Sequence, residues 1–347
     1  MSETLQIAVN MQDLSRILLL GFLGFALSMI ITPLYTTLAY RYEFWKKPRQ
    51  TTVTGTPAKV FNKLHAKKHE RHIPTMAGAI FVLAVAVVTI VFNLSRAETW
   101  LPLAAFVGAG SVGLLDDFIN VRGSGLGVAG LPAKLKLLLI TLISVVGGWF
   151  FYAKLDVTGV HIPFAGTLEL GWLIVPIFVF VVVATANAVN ITDGLDGLAG
   201  GLSAIAFGTY AVIAFLAQRY GLAAFCLTMV GSLLSYTWFN IFPARFFMGD
   251  VGAFALGTSL GVVAMLTDTI FILPIIGIVF VAEAGSVILQ ITSKKLRNGK
   301  KLFKISPIHH HFEASGWPEA KVTMRFWVVG QVAAFIGLAI FLTGNYL

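Results

Sequence analysis

Long apolar runs alternate with short polar stretches along the whole chain. Ten such runs lie near residues 17–40, 74–94, 99–118, 134–154, 171–190, 198–218, 221–241, 250–267, 270–292 and 324–343. Each is close to the roughly 20 residues a helix needs to cross a hydrocarbon core about 30 Å thick. The pattern predicts an all-α integral membrane protein of about ten transmembrane helices. The eighth run is the shortest and bears glycines. Five polar stretches carry nearly all the chemically capable residues: Arg41–His72, Asp116–Lys136, Asn187–Gly197, Asn240–Asp250 and Thr292–Arg325.

An even number of spans puts both termini on one side and all five stretches on the other. Of the 25 lysines and arginines, only Arg16, Arg96, Lys154 and Arg219 fall on the side of the termini. Cytoplasmic loops carry the excess of positive charge, so the motif-bearing side is expected to be cytoplasmic and both termini periplasmic. Residues 1–16 are polar and no small-residue cleavage site follows, so the first apolar run is expected to stay as a helix.

Composition agrees. The 347 residues are 57% hydrophobic and 12% charged, where a soluble domain carries about 25% charged residues. The net charge of +9 invites a nucleic-acid reading, but its distribution is a topology signal, also suited to lipid headgroups or a phosphorylated substrate. The single cysteine, Cys226, sits in an apolar run and excludes an intrachain disulfide or cysteine metal cluster. The halves show no sequence repeat, and the ionisable groups gather at helix ends rather than at mid-membrane, both of which disfavour a secondary transporter. No phosphate-binding Gly-x-x-x-x-Gly-Lys-Ser/Thr loop is present, which disfavours an ATPase. Residues 1–347 read as one polytopic domain with chemistry on its cytoplasmic face.

That chemistry sits in four motifs. Asp116 and Asp117 end the third span, where two adjacent acids near hydrocarbon are costly unless a cation relieves them; Mg2+, which takes oxygen ligands, fits. Asn187, Asn190, Asp193 and Asp196 are spaced by three in NAVNITDGLDG. On a helix such neighbours lie about 60° apart, so adjacent pairs share a face while the set turns through half the helix. Gly194 and Gly197 suggest that the helix loosens there and lets a ligand approach the backbone. Asp250 follows FMG at the start of the eighth span, where a helix N-terminus favours phosphate; Phe246 and Phe247 precede it as base-stacking or interfacial aromatics. His309, His310 and His311 are consecutive, which suits donation to phosphate beside a hard metal better than a zinc site needing separated ligands. Gly123–Gly130 reads as flexible loop. Glu283, inside the ninth span, has no assignable role.

In order, these motifs resemble the polyprenyl-phosphate N-acetylhexosamine-1-phosphate transferases, and within them the phospho-N-acetylmuramoyl-pentapeptide-transferases. The resemblance runs through PTMAG at 74–78, the acid pair at 116–117, NAVNITDGLDGLAGG at 187–201, FMGDVGA at 247–253, EAGSVILQ at 283–290 and PIHHHFEASGWPEAKVTMRFW at 307–327. It implies transfer of phospho-N-acetylmuramoyl-pentapeptide from its UDP carrier to undecaprenyl phosphate, with Mg2+, giving lipid I and UMP in the bacterial cytoplasmic (inner) membrane. A simpler UDP-amino sugar is the alternative substrate. By resemblance, Asp116, Asp117, Asp250 and His309 are catalytic and Asp250 the metal ligand. Thr75, Lys134, Asn187, Asn190, Asp193, Gly194, Leu195, Asp196, Asn240, Phe247, Gln290, His310 and His311 line the substrate site, with Phe247 on uracil. Membrane lipids and a second copy of the chain are further partners, although no small-xxx-small stretch marks a dimer interface. Two positions depart from the family: Asn120 and Glu70 stand where a lysine is common, with Arg122 and Arg71 as the adjacent cations.

Overall fold

The computed structural model describes residues 11–45, 72–123, 130–344 and 346. In chain order the helices are α1 (Met11–Arg41), α2 (Gly78–Phe92), α3 (Trp100–Arg122), α4 (Ala133–Leu155), α5 (Ile174–Thr192), α6 (Leu198–Leu216), α7 (Tyr220–Asn240), α8 (Gly249–Leu266), the single turn α9 (Leu273–Ile276), α10 (Ile278–Leu296), the short α11 (Ile308–Glu313) and α12 (Glu319–Thr343). Among the described residues, each predicted run contains a helix. Eight of them, α1, α3 to α8 and α12, are long and apolar enough to cross a membrane. Of the other two, α2 has 15 residues and α10 carries Glu283, Lys294 and Lys295. The protein is thus a mostly helical, multi-pass membrane protein. Residues 124–129 of the glycine-rich stretch, with Glu70 and Arg71, lie outside the described residues.

One element departs from the all-α expectation. Strands β1 (Gly159–Ile162) and β2 (Gly166–Glu169) form an antiparallel hairpin with Val160 opposite Leu168. Its sequence, GVHIPFAGTLE, has the alternation and the Pro/Gly turn of a hairpin, and Gly166 adopts φ +91° at the turn. Four-residue strands are too short to register beside twenty-residue apolar runs.

The shortest predicted span turns out to be the centre of the bundle. Every residue of α8 is buried except Asp250, as expected of a helix that is apolar on all sides. Its small residues let neighbours approach backbone to backbone. Gly113 of α3 lies against the Asp250 carbonyl, and Gly257 of α8 against the Ala186 backbone of α5; a Cβ at either would overlap those atoms. In lipid, where apolar surface alone does not drive helices together, such close packing is a principal source of association. These two approaches bring the motif-bearing ends of α3, α5 and α8 together and set the three motifs they carry side by side.

The loops that bear no motif meet at the opposite end. Arg16 donates to the Phe92 carbonyl (2.9 Å), Asn93 to the Gly221 carbonyl (2.8 Å), and Glu98 accepts the Leu222 N–H (3.2 Å).

Candidate active site

The acid pair and Asp250 converge across two helices. Asp116 is 2% exposed, Asp117 fully buried and Asp250 half-buried, and one carboxylate oxygen of each lies within 4.8 Å of the others. The Lys136 ammonium bridges them, 3.3 Å from Asp116 Oδ2 and 2.9 Å from Asp250 Oδ2. The second oxygens are held by the frame. The Leu131 N–H donates to Asp116 Oδ1 (2.5 Å), the Val251 N–H to Asp117 Oδ2 (3.1 Å), and Asn190 Nδ2 to Asp250 Oδ1 (3.3 Å). Lys136 offsets one of three formal carboxylate charges. A divalent cation offsets the other two, and an all-oxygen donor set is what Mg2+ prefers. The residues present therefore fit such an ion.

Lys136 is a residue that sequence reasoning passed over in favour of Lys134. Two residues apart on a helix face nearly opposite ways, and Lys134 lies on the exposed flank of α4. The signal was available: of the two lysines in AKLK, only one can share a face with the α3 acids.

The NAVNITDGLDG stretch divides where its glycines suggest. Helix α5 ends at Thr192, α6 begins at Leu198, and Asp193–Gly197 forms the connection. Asn190 reaches Asp250, whereas Asn187 donates back to the Val183 carbonyl (2.8 Å). Asp193 and Gly194 are half-buried; Leu195 and Asp196 are 4% and 2% exposed. Asp196 accepts the Ala244 N–H (2.9 Å), and Asn240 clasps the same region, accepting the Gly197 N–H (2.9 Å) and donating to the Phe246 carbonyl (2.8 Å). These two side chains join the connection to the FMGD segment.

That segment is in turn zipped to PTMAG. The Phe247 N–H donates to the Pro74 carbonyl (2.7 Å), Ala77 N–H to Phe247 (3.0 Å) and Gly78 N–H to Met248 (2.9 Å). Thr75 is buried, and its carbonyl accepts the Tyr35 hydroxyl. Phe246 packs into a cluster with Tyr35, Tyr236 and Phe239, while Phe247 is half-buried. The pair divides: Phe246 belongs to the core, and Phe247 keeps a partly exposed side chain.

The histidines are brought in by α10 and α12. Gln290 Oε1 accepts the N–H groups of Leu302 and Phe303 (2.9 and 3.0 Å) and its Nε2 donates to the Phe303 carbonyl (2.9 Å), so it anchors the loop ahead of α11. Phe312 stacks on Trp317 and meets Phe326 of α12 edge-on. His309 is fully buried with Nδ1 2.9 Å from Glu283; His310 Nδ1 lies 2.6 Å from Glu313; His311 Nδ1 accepts the Lys304 N–H (3.2 Å). Of the two departures from the family, Asn120 is 5% exposed, and Arg122 is turned onto the Phe118 ring, 4.2 Å from its centroid.

Comparison with known proteins supports the same grouping. The profile of glycosyl transferase family 4 matches residues 99–268, which hold both acid motifs and the asparagine-rich connection. The chain is 39% identical over 346 residues to the phospho-N-acetylmuramoyl-pentapeptide-transferase of Chloroflexus aurantiacus, covering 96% of this chain and 91% of that protein. The enzymes of that name from Caldanaerobacter subterraneus and Listeria monocytogenes are each 38% identical, covering 93% and 91% of this chain and 98% and 96% of theirs.

Proposed function

Because the chain belongs to the phospho-N-acetylmuramoyl-pentapeptide-transferase family, we propose that it moves phospho-N-acetylmuramoyl-pentapeptide from UDP to undecaprenyl phosphate, releasing UMP and forming lipid I. The observation that carries this reading is the convergence of Asp116, Asp117, Asp250 and Lys136 at one end of a membrane bundle. The bias of the 25 lysines and arginines toward the motif-bearing loops supports a topology of ten spans with this end cytoplasmic and both termini periplasmic.

Both reactants are anions, so the main task is to bring one phosphate onto another. Asp250, with Asp116 and Asp117, would hold Mg2+, which supplies Lewis-acid stabilisation of pyrophosphate oxygens when bound. Lys136 donates to the same oxygens from between the carboxylates. A phosphate monoester has its second pKa near 6, so base catalysis contributes little at neutral pH. Asp116 therefore serves chiefly to orient the lipid phosphate for direct attack on the β-phosphorus, with UMP as the leaving group. Phe247 stacks on uracil, Asp193, Gly194 and Asn187 border the nucleotide, and Thr75, His310 and His311 complete the substrate site with Lys134 outside it. Leu195, Asp196, Asn240 and Gln290 are assigned the task of fixing the loops that carry these groups.

The test is UMP release by detergent-purified protein given UDP-N-acetylmuramoyl-pentapeptide and a polyprenyl phosphate, with and without Mg2+. Release that needs lipid, metal and Asp250 is expected. Release only with UDP-N-acetylglucosamine would move the protein to the simpler-substrate relatives. Exchange of labelled UMP into the UDP substrate without lipid would replace direct attack by a covalent phospho-aspartate route.

A further inference from the structure

Glu283 is a fully buried carboxylate in the interior of α10, 26 residues from the histidines. A buried carboxylate is costly unless it is paired, and its partner is His309: Oε2 lies 2.9 Å from Nδ1 and 3.5 Å from the His309 backbone N–H. We infer that Glu283 is the positioning residue that decides which nitrogen of His309 faces the reacting phosphates, an inference that rests on the transferase reading. With Glu283 as the acceptor, Nδ1 is the donor of this hydrogen bond, and the hydrogen bond made by one ring nitrogen fixes the role of the other.

The other nitrogen is the informative one. His309 Nε2 is buried and has no hydrogen-bond partner among the described residues, as is also true of Glu283 Oε1. Nε2 lies directly against Gly194, so closely that a Cβ there would overlap it. The ring thus spans from α10 to the connection after Asn190, whose amide contacts Asp250. No described hydrogen-bonding group uses Nε2, and Glu283 keeps it aimed at the loop assigned to the substrate. When Nε2 also carries a proton toward a phosphate oxygen, the carboxylate behind the ring balances its charge. His310 differs: its Nδ1 is held by Glu313 of the same short helix. Two histidines adjacent in sequence are therefore oriented by two unrelated acids.

A purely structural role for Glu283, tying α11 to α10, predicts lost stability without a change at the imidazole. The experiment combines turnover with 15N NMR of histidine-labelled protein in detergent, the His309 signal being assigned by its loss in His309→Gln. In wild type, His309 should show a protonated Nδ1. Glu283→Gln keeps an acceptor but removes the charge, and kcat should fall about 10-fold with KM for the UDP substrate little changed; Glu283→Ala should lower kcat about 100-fold, in the range expected for such orienting partners, and lose the Nδ1–H pattern. Gly194→Ala pushes the ring from its other face and should also lower kcat with Glu283 intact. Wild-type kcat in Glu283→Ala, or an unchanged His309 15N pattern, overturns the inference. Wild type that turns over no UDP substrate refutes the transferase reading, and the NMR comparison still decides the orientation.

Discussion

The two ends of the bundle are built from the same kinds of residue and use them in opposite ways. At the end without motifs, polar groups are sewn one by one to backbone partners. Arg16, Asn93 and Glu98 join α1 to α2 and the α2–α3 loop to α7. His161 offers its backbone N–H to Asp268 (2.8 Å) and its Nε2–H to the Gly344 carbonyl (2.9 Å), fastening the hairpin to the ends of α8 and α12. At the motif end, three carboxylates cluster, two of them paired with one ammonium, and a buried imidazole nitrogen has no hydrogen-bond partner among the described residues. Burial and charge are common to both ends. What separates them is charge gathered at one point: among the described residues, Asp116, Asp117 and Asp250 form a cluster of carboxylates that a cation could join.

The largest test of this contrast breaks that cluster. Asp250→Ala should lower UMP release by about 10³-fold or more, and chelation of divalent metal should do the same to wild type, because charge compensation at developing oxyanions is usually the largest single contribution to such catalysis. Thermal unfolding should remain cooperative in the variant, since Asp250 is the one residue of α8 not packed in the core. Next comes the choice between the two lysines. Lys136→Ala should lower kcat about 100-fold, and Lys136→Arg should not restore it fully because the guanidinium is planar and larger. Lys134→Ala should stay within about twofold of wild type, as an exposed charge acting through solvent. Equal losses in the two alanine variants would erase the distinction drawn here.

Much of this arrangement was legible in the sequence, and the reasons differ from part to part. Apolar runs report helices directly, so every predicted run holds one. Adjacent motif residues such as Asp116 and Asp117 could be grouped because their proximity is local. Apart from the β1–β2 hairpin, what the sequence left unread is contacts across helices. Lys136 needed the facing of α4 against α3, and Glu283 needed the docking of α11 on α10. The roles of Asp196, Asn240 and Gln290 depended on which backbone groups they meet, and a sequence shows a side chain's donors and acceptors without showing what already uses them. The central place of α8 was hidden for a related reason: its glycines weaken the hydrophobic signal of the span yet permit the close approaches that put it in the middle.

The smallest effects are expected at the stitched end, and they should register in stability rather than turnover. Glu98→Ala removes the acceptor for the Leu222 N–H and should cost about 1 kcal/mol, read as a lower Tm with kcat per folded enzyme unchanged. Asp268 gives a finer test. Burial pushes its carboxyl above the ordinary carboxylate range, against the opposing pull of the His161 N–H. A raised pKa means that the folded state holds the proton more tightly than the unfolded chain. The resulting stabilisation is complete below the unfolded value, about 3.9, and is lost as pH rises through the raised folded value. Asp268→Asn keeps an oxygen for the His161 N–H and cannot ionise. The Tm difference, wild type minus Asp268→Asn, should therefore shift against wild type as pH climbs through that window, while UMP release at neutral pH changes little. A Tm difference that does not vary with pH would mean the Asp268 proton plays no part in holding the hairpin. A large fall in kcat would mean the two ends are not separate in function.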